Sequence, residues 1–276
     1  MFKCSVRFFD SVANIKFGCH SGARASALAT LLVAGSFSSA QLYAEESEGE
    51  WEFMIAPLFL WGMSIDGESA IDGNALPLDL DFRDDVMENL DAVFTFHFAA
   101  RKDDLLLFAE YQYVSLDPTV EANVGPLSVN ADVDLTINAA EVGAGYTISE
   151  TDATRWEVLG GLRWLDQDLD VQANLGIDDP TGQIPIKGGD DWYQGFVGAR
   201  VTDTLSKNWS LIARGDYGYG DSDNDAWHFN AMADYRFNDW GSAFVGYRYM
   251  KIDYASSSYS YDAEQQGPLL GISIYW

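Results

Sequence analysis

No run of about 18 apolar residues occurs in this chain, and its mean hydropathy is slightly negative at −0.11. That excludes a bundle of membrane-spanning helices, so any membrane span must be built from strands. Basic residues are scarce, with Lys+Arg at 16 against 43 Asp+Glu in 276 residues, a net charge of −27. Such a chain repels nucleic acid and anionic lipid, and nucleic-acid binding is set aside. Cysteine is nearly absent: the two residues, Cys4 and Cys19, both lie near the N-terminus. Beyond them the chain has no thiol nucleophile, disulfide or Cys-ligated metal.

The first 44 residues differ from the rest. Lys3, Arg7, Lys16 and Arg24 face a single acid, Asp10, and the apolar run from Ala27 to Phe37 follows, then small residues at Ser38, Ser39, Ala40 and Ala44. A basic stretch, an apolar stretch and small-x-small cleavage positions predict an export signal over residues 1–44, cut after Ala40 or Ala44. The competing reading is a retained amphipathic helix. Cleavage leaves 12 basic against 42 acidic residues, a charge of about −30. Residues 45–50 read as an acidic linker, and residues 51–276 as one domain.

That domain consists of segments with apolar side chains at every second position, the period of a strand with two unlike faces. From Trp227 to Phe237, Trp227, Phe229, Ala231, Ala233, Tyr235 and Phe237 alternate with His228, Asn230, Met232, Asp234 and Arg236. Ten strands are expected near 51–65, 91–102, 104–117, 131–149, 154–172, 190–204, 208–220, 226–238, 241–255 and 263–276. In the first, Trp51, Phe53, Ile55, Pro57, Phe59 and Trp61 are expected on the lipid face, although Met54, Leu58 and Leu60 blur the alternation. Connections alternate short and long, and Trp and Tyr crowd the strand ends, including Trp51, Trp61, Tyr146, Trp156, Trp164, Trp192, Trp209, Trp227, Trp240 and Tyr275. An even strand number, short turns at one end and aromatic girdles predict an all-β, antiparallel up-and-down transmembrane barrel. A soluble β-sandwich also alternates but does not need this density of strand-end aromatics.

The chain ends Leu270-Gly271-Ile272-Ser273-Ile274-Tyr275-Trp276, an alternating strand closed by an aromatic residue. It resembles the C-terminal signature of bacterial outer-membrane barrel proteins, porin-like or small. The resemblance implies an outer-membrane location, contact with outer-membrane lipid and lipopolysaccharide, and recognition of Trp276 by the barrel-assembly machinery.

Charges within strands are expected inside, because a lipid-facing Arg or Lys costs about 2–4 kcal/mol at the bilayer midplane. By alternation Glu110, Gln112, Glu141, Arg163, Arg200, Arg214, Asp216, Asp234, Arg236 and Arg248 line the lumen. They read either as an ion-pair network filling a narrow barrel or as the wall of a cation-preferring pore. Acidic loops carry Asp66, Glu68 and Asp72, then Asp178 and Asp179, then Asp221, Asp223 and Asp225. These are expected chiefly as solvated surface that inorganic cations can approach, without a dedicated metal site. Arg83 to Leu90 reads as a short helix in the first loop, and Leu76 to Phe82 as a strand extending a hairpin above the membrane. Beyond residue 44 the histidines are His97 and His228. A lipid hydrolase or omptin-like protease would use His228 as base, yet Asp225-Ala226-Trp227-His228 lacks the close Asp-x-His spacing of omptins. The expectation is a monomeric, cofactor-free barrel without catalysis, a narrow channel or structural surface element. Loop-based adhesion is the remaining alternative.

Overall fold

The computed structural model describes residues 49–117, 119–124, 127–174, 183–221 and 223–276. The expected signal, most of the linker, and Asp178 and Asp179 lie outside the described residues.

Fourteen strands form one antiparallel sheet: β1 (Glu52–Ala56), β2 (Phe59–Trp61), β3 (Ser64–Ile71), β4 (Asn74–Leu80), β5 (Leu90–Lys102), β6 (Leu105–Leu116), β7 (Thr119–Val124), β8 (Leu127–Glu150), β9 (Thr154–Asn174), β10 (Gln183–Thr204), β11 (Trp209–Tyr219), β12 (Asn224–Asn238), β13 (Gly241–Ala255) and β14 (Tyr259–Tyr275). Neighbours in sequence pair around the sheet, and β1 pairs with both β5 and β14. The sheet is therefore closed. β1, β2 and β3 together make the first stave against β14, and β4 and β7 are outer hairpin arms on β3 and β8. Ten staves result, as the ten alternating segments predict.

Closure leaves open edges only on the outer arms β4 and β7, so the ten staves meet the condition for strands in hydrocarbon. Leu58, Leu107, Leu162, Val197, Val245 and Ile272 face outward and are exposed. Exposed Tyr146, Trp156, Trp209, Tyr235, Trp240 and Trp276 ring the end that carries both termini and the short turns. Short turns mark the periplasmic end in such barrels. At the other end β8, β9 and β10 run to 24, 21 and 22 residues, whereas about 9–11 suffice to span a bilayer. Their surplus continues the wall beyond the membrane. The β3–β4 arm also rises there, turning at Asp72 and Gly73 with φ of 50° and 77°. An Asp-Gly pair suits a hairpin turn needing positive φ at both positions.

The first stave departs from the sequence reading. Met54 faces Tyr275 and Ile55 faces Ile274 across β14, but Phe59 faces Gly271 and Trp61 faces Leu269. The register has slipped by one residue between Ala56 and Phe59, at Pro57, and the slip reverses which side chains point inward. Phe59 is buried and Trp61 lies inside beneath Arg248, while Leu58 and Leu60 face lipid. Phe59 and Trp61 therefore leave the expected lipid face. Beyond Ala56 the ladder to β5 stops. The Thr95 hydroxyl bridges the interruption, accepting the Phe59 N–H at 2.9 Å and donating to the Phe59 carbonyl. Trp192 and Tyr275, also expected in the girdles, point inward because each shares parity with lumen residues of its strand.

Instead of a helix from Arg83 to Leu90, a single π turn, Phe82–Val86, is closed by Val86 N–H to Asp81 O and Met87 N–H to Phe82 O. It buries Val86 against Val114 and Leu116, and the chain must be extended again by Leu90 to enter β5.

Candidate functional site

Inward parity brings side chains from every stave into the lumen, which stacks into three levels. The middle level is ionic. Asp216 and Arg214 share one face of β11, Arg163 comes from β9 and Glu141 from β8. Arg163 Nη2 donates to Glu141 Oε2 at 2.8 Å and Asp216 Oδ1 at 2.7 Å. Arg214 donates through Nη1 to Glu141 Oε1 at 2.7 Å and through Nε to Asp216 Oδ2 at 2.8 Å. The Phe196 ring lies 5.1 Å from both guanidiniums and Phe108 the same distance from Arg214. Across the lumen Arg248 donates to Glu110 at 2.5 Å, and His97 Nδ1 lies 2.9 Å from the other Glu110 oxygen.

His228 ties the two groups together. Its Nε2 accepts from Arg248 Nε at 2.9 Å, so by the hydrogen-bond network Nδ1 carries the proton and donates to Asp216 at 2.8 Å. The ring is 2% exposed. Both nitrogens are engaged and the ring is buried, so in this geometry neither is free to act as a base.

Above this level, toward the external end, lies an apolar plug. Met63, Ile65, Ile137, Leu165, Trp192, Met250, Ile252, Tyr259 and Tyr261, drawn from six staves, pack together with Ile71. Trp192 stacks on Tyr254 with centroids 4.1 Å apart and planes at 10°. This packing fills the external half of the lumen, with buried Gln167 accepting the Tyr259 hydroxyl at 2.8 Å and Gln265 donating to the Tyr261 hydroxyl at 3.0 Å within it.

Below lies a cavity of about 220 Å³, lined among others by Met54, Phe59, Leu106, Phe108, Leu159, Arg101, Arg200, Asp234 and Tyr275. Here sits a charge group that the sequence reading overlooked. Glu157, with no exposed surface, takes Arg101 at 2.5 Å and faces Arg200 at 3.6 Å. The signal was present: Glu157 shares parity with Arg163, and Thr95, His97 and Arg101 alternate with Phe94, Phe96 and Phe98.

Of the ten expected lumen residues, Glu110, Gln112, Glu141, Arg163, Arg200, Arg214, Asp216, Asp234 and Arg248 point into these levels. Gln112 is buried beside the ionic level, and Asp234 accepts the Ser242 hydroxyl at 2.7 Å. Arg236 is displaced to the periplasmic rim, exposed, with its guanidinium 4.2 Å over Tyr275. At its strand end it is open to solvent, and its Nη2 donates to the Asp239 carbonyl at 3.3 Å.

Five carboxylates (Glu110, Glu141, Glu157, Asp216, Asp234) and five guanidiniums (Arg101, Arg163, Arg200, Arg214, Arg248) thus lie in these lower two levels, with Glu52 at the cavity mouth; all of these carboxylates but Asp234 and Glu52 pair with the guanidiniums. The acidic excess is elsewhere. Asp166, Asp168, Asp170, Asp191, Asp253, Asp262 and Glu264 share outward parity on the external part of the wall. Among the described residues no group of three or more His, Cys, Asp or Glu is arranged to hold a metal ion.

No protein-family model matches the sequence, and no curated protein does. Solved structures do match in shape. The outer-membrane protease OmpT of Escherichia coli superposes with a TM-score of 0.53 at 10% identity, covering 83% of this chain and 98% of that one. The translocator domain of the autotransporter NalP from Neisseria meningitidis gives 0.44 at 11% identity over 83% and 90%. Ail, the attachment invasion locus protein of Yersinia pestis, gives 0.33 at 12% identity over 83% and 99%. At such identity only fold is shared, and activity does not transfer. The closed ten-stave wall, its lipid-facing apolar belt and the shape shared with the OmpT barrel together make the chain an outer-membrane β-barrel of the bacterial type.

Proposed function

We propose that the protein is a monomeric, closed barrel that serves as a structural and binding element of the outer-membrane surface. The observation that carries this reading is the double seal of the lumen, an ion-paired level under an apolar plug. A conducting path has to break both. Breaking either is costly: buried ion pairs resist separation because each partner is left as an uncompensated charge, and the plug loses apolar burial. The balanced lumen charge also removes the basis for strong cation preference, since the carboxylate excess lies on the external wall. That wall and the β3–β4 arm are the surfaces offered to inorganic cations or a cationic partner. Trp276 serves as the assembly signal in this reading.

Planar-bilayer recording of the refolded chain tests it. The expected result is no steady current from the wild type, from Trp192→Ala or from the Arg163→Ala, Glu110→Ala pair, because one seal survives in each variant. Combining all three changes is expected to open a path. Steady cation-selective current through the wild type overturns the proposal in favour of a narrow pore.

A further inference from the structure

We propose that the lower lumen is a binding site for a small organic carboxylate, entering from the periplasmic side with its acid group on Arg101 and Arg200 and its apolar part against Leu106, Phe108 and Leu159. The cavity opens toward the end where Glu52, Arg101 and Tyr275 lie, close to the termini and short turns. Its volume of about 220 Å³ exceeds the roughly 150 Å³ of an apolar protein cavity that takes up benzene. An aromatic ring carrying one carboxylate therefore fits.

The two guanidiniums favour an anionic group on the ligand. Arg101 and Arg200 share one carboxylate, Glu157. Arg101 Nη1 is buried without a hydrogen-bond partner among the described residues, and Arg200 Nε reaches Glu157 Oε2 only at 3.6 Å. Glu157 is the ion-pair partner that the two guanidiniums share, and hydrogen-bond donors left unmade in a buried site are costly. A ligand carboxylate supplies the missing acceptors, and guanidinium–carboxylate hydrogen bonds are among the stronger ones. The other lining cations are already engaged, Arg214 by Glu141 and Asp216, and Arg248 by Glu110. Among the described residues none of the other lining acids forms an ion pair with Arg101 or Arg200. Glu110 is held by Arg248 and His97, Asp234 takes Ser242, and Glu52 lies across from Arg101 at the exposed mouth. The remaining wall is apolar, with Phe108 and Leu159 buried among Leu106 and Ala99.

Benzoate is the probe, with benzylamine and benzyl alcohol as size-matched controls, titrated by calorimetry and ligand-observed NMR against the full chain in lipid nanodiscs. Benzoate is expected to bind and the controls to bind at least about tenfold more weakly, the loss that goes with a charge-assisted hydrogen bond. Arg101→Gln and Arg200→Gln should each weaken benzoate by a similar factor. Leu159→Trp, which fills the cavity and leaves the charges intact, should abolish binding, so a failure of either arginine variant to fold does not remove the test; heat-modifiable gel mobility verifies folding in each. Absent benzoate binding, equal binding of benzylamine, or benzoate affinity unchanged in the folded variants overturns the proposal.

Discussion

Asp216 and His228 face each other in register across β11 and β12, with the imidazole Nδ1 2.8 Å from the carboxylate Oδ2. The pair joins the two halves of the ionic level, because Asp216 also holds Arg163 and Arg214 while His228 takes Arg248. Asp216→Asn removes the charge on which two buried guanidiniums depend. Its expected cost is about 3–5 kcal/mol, read as a lower urea midpoint for the refolded barrel. His228→Ala should cost less, since it removes a neutral ring. A midpoint unchanged in Asp216→Asn would show that the ionic level contributes little to stability.

Packing around these arginines depends on Gly161. A Cβ there would meet the Val142 carbonyl oxygen at 2.2 Å and Phe196 Cζ at 2.6 Å, and Phe196 is the ring beneath Arg163 and Arg214. Gly161→Ala therefore forces the ring or the neighbouring strand to move, with an expected loss of about 1–3 kcal/mol for overpacking. Gly160 has only the Phe196 carbonyl oxygen at 3.5 Å, so Gly160→Ala is the matched control and should unfold near wild type.

Thr95 bridges the interruption in the ladder between the first stave and β5. Thr95→Val keeps the shape but leaves the Phe59 N–H and carbonyl without their partner, costing about 1–3 kcal/mol for the unmade hydrogen bonds. Thr95→Ser retains the hydroxyl and should recover most of the loss. Equal midpoints for the valine and serine variants would mean that the hydroxyl does not hold the seam.

On the external part of the wall Asp253 faces Asp262 in register. Burial raises the Asp253 pKa, and the charges of Asp262 and Asp225 add to the shift. A raised carboxyl pKa in the fold favours the protonated form, so its stabilising contribution is present at low pH and is lost as pH rises through the folded-state value. Asp253→Asn should therefore stabilise the external wall at neutral pH by about 0.2–1 kcal/mol, the scale of cross-strand pairs. The gain should shrink on acidification. Hydrogen exchange of β13 and β14 amides at the two pH values measures it, and slower exchange in the wild type at neutral pH would contradict the sign.

At the C-terminus the Phe53 N–H donates to the Trp276 carbonyl at 2.9 Å, the Trp276 N–H returns to Phe53 O at 3.1 Å, and the two rings stack 5.8 Å apart. Deleting Trp276 removes this closing pair together with the terminal aromatic. Less heat-modifiable barrel recovered from the outer membrane is the expected outcome, by immunoblot. Undiminished recovery from cells would argue against an assembly role.

Alternation alone determined the architecture. A period of two over ten segments, with aromatic ends and one set of short turns, is enough for a ten-stave membrane barrel because hydrocarbon tolerates only a closed sheet. It also placed Glu141, Arg163 and Asp216 inside, since a charge within a regular strand has only two faces to choose from. What alternation could not reveal is anything that breaks or crosses it. The slip at Pro57 turned Phe59 and Trp61 inward without changing a single residue type in the pattern. The helix expected at Arg83 to Leu90 shrank to one π turn because packing of Val86 on Val114 and Leu116 outweighs weak local propensity. Which charges meet depends on contacts between residues up to 138 apart in sequence, as for Arg248 and Glu110, and only closure of the barrel brings these together. Whether the lumen is open was likewise decided by tertiary structure, because Trp192, Ile252 and Tyr261 fill it from different staves, and no one-dimensional pattern records how side chains interlock across a lumen.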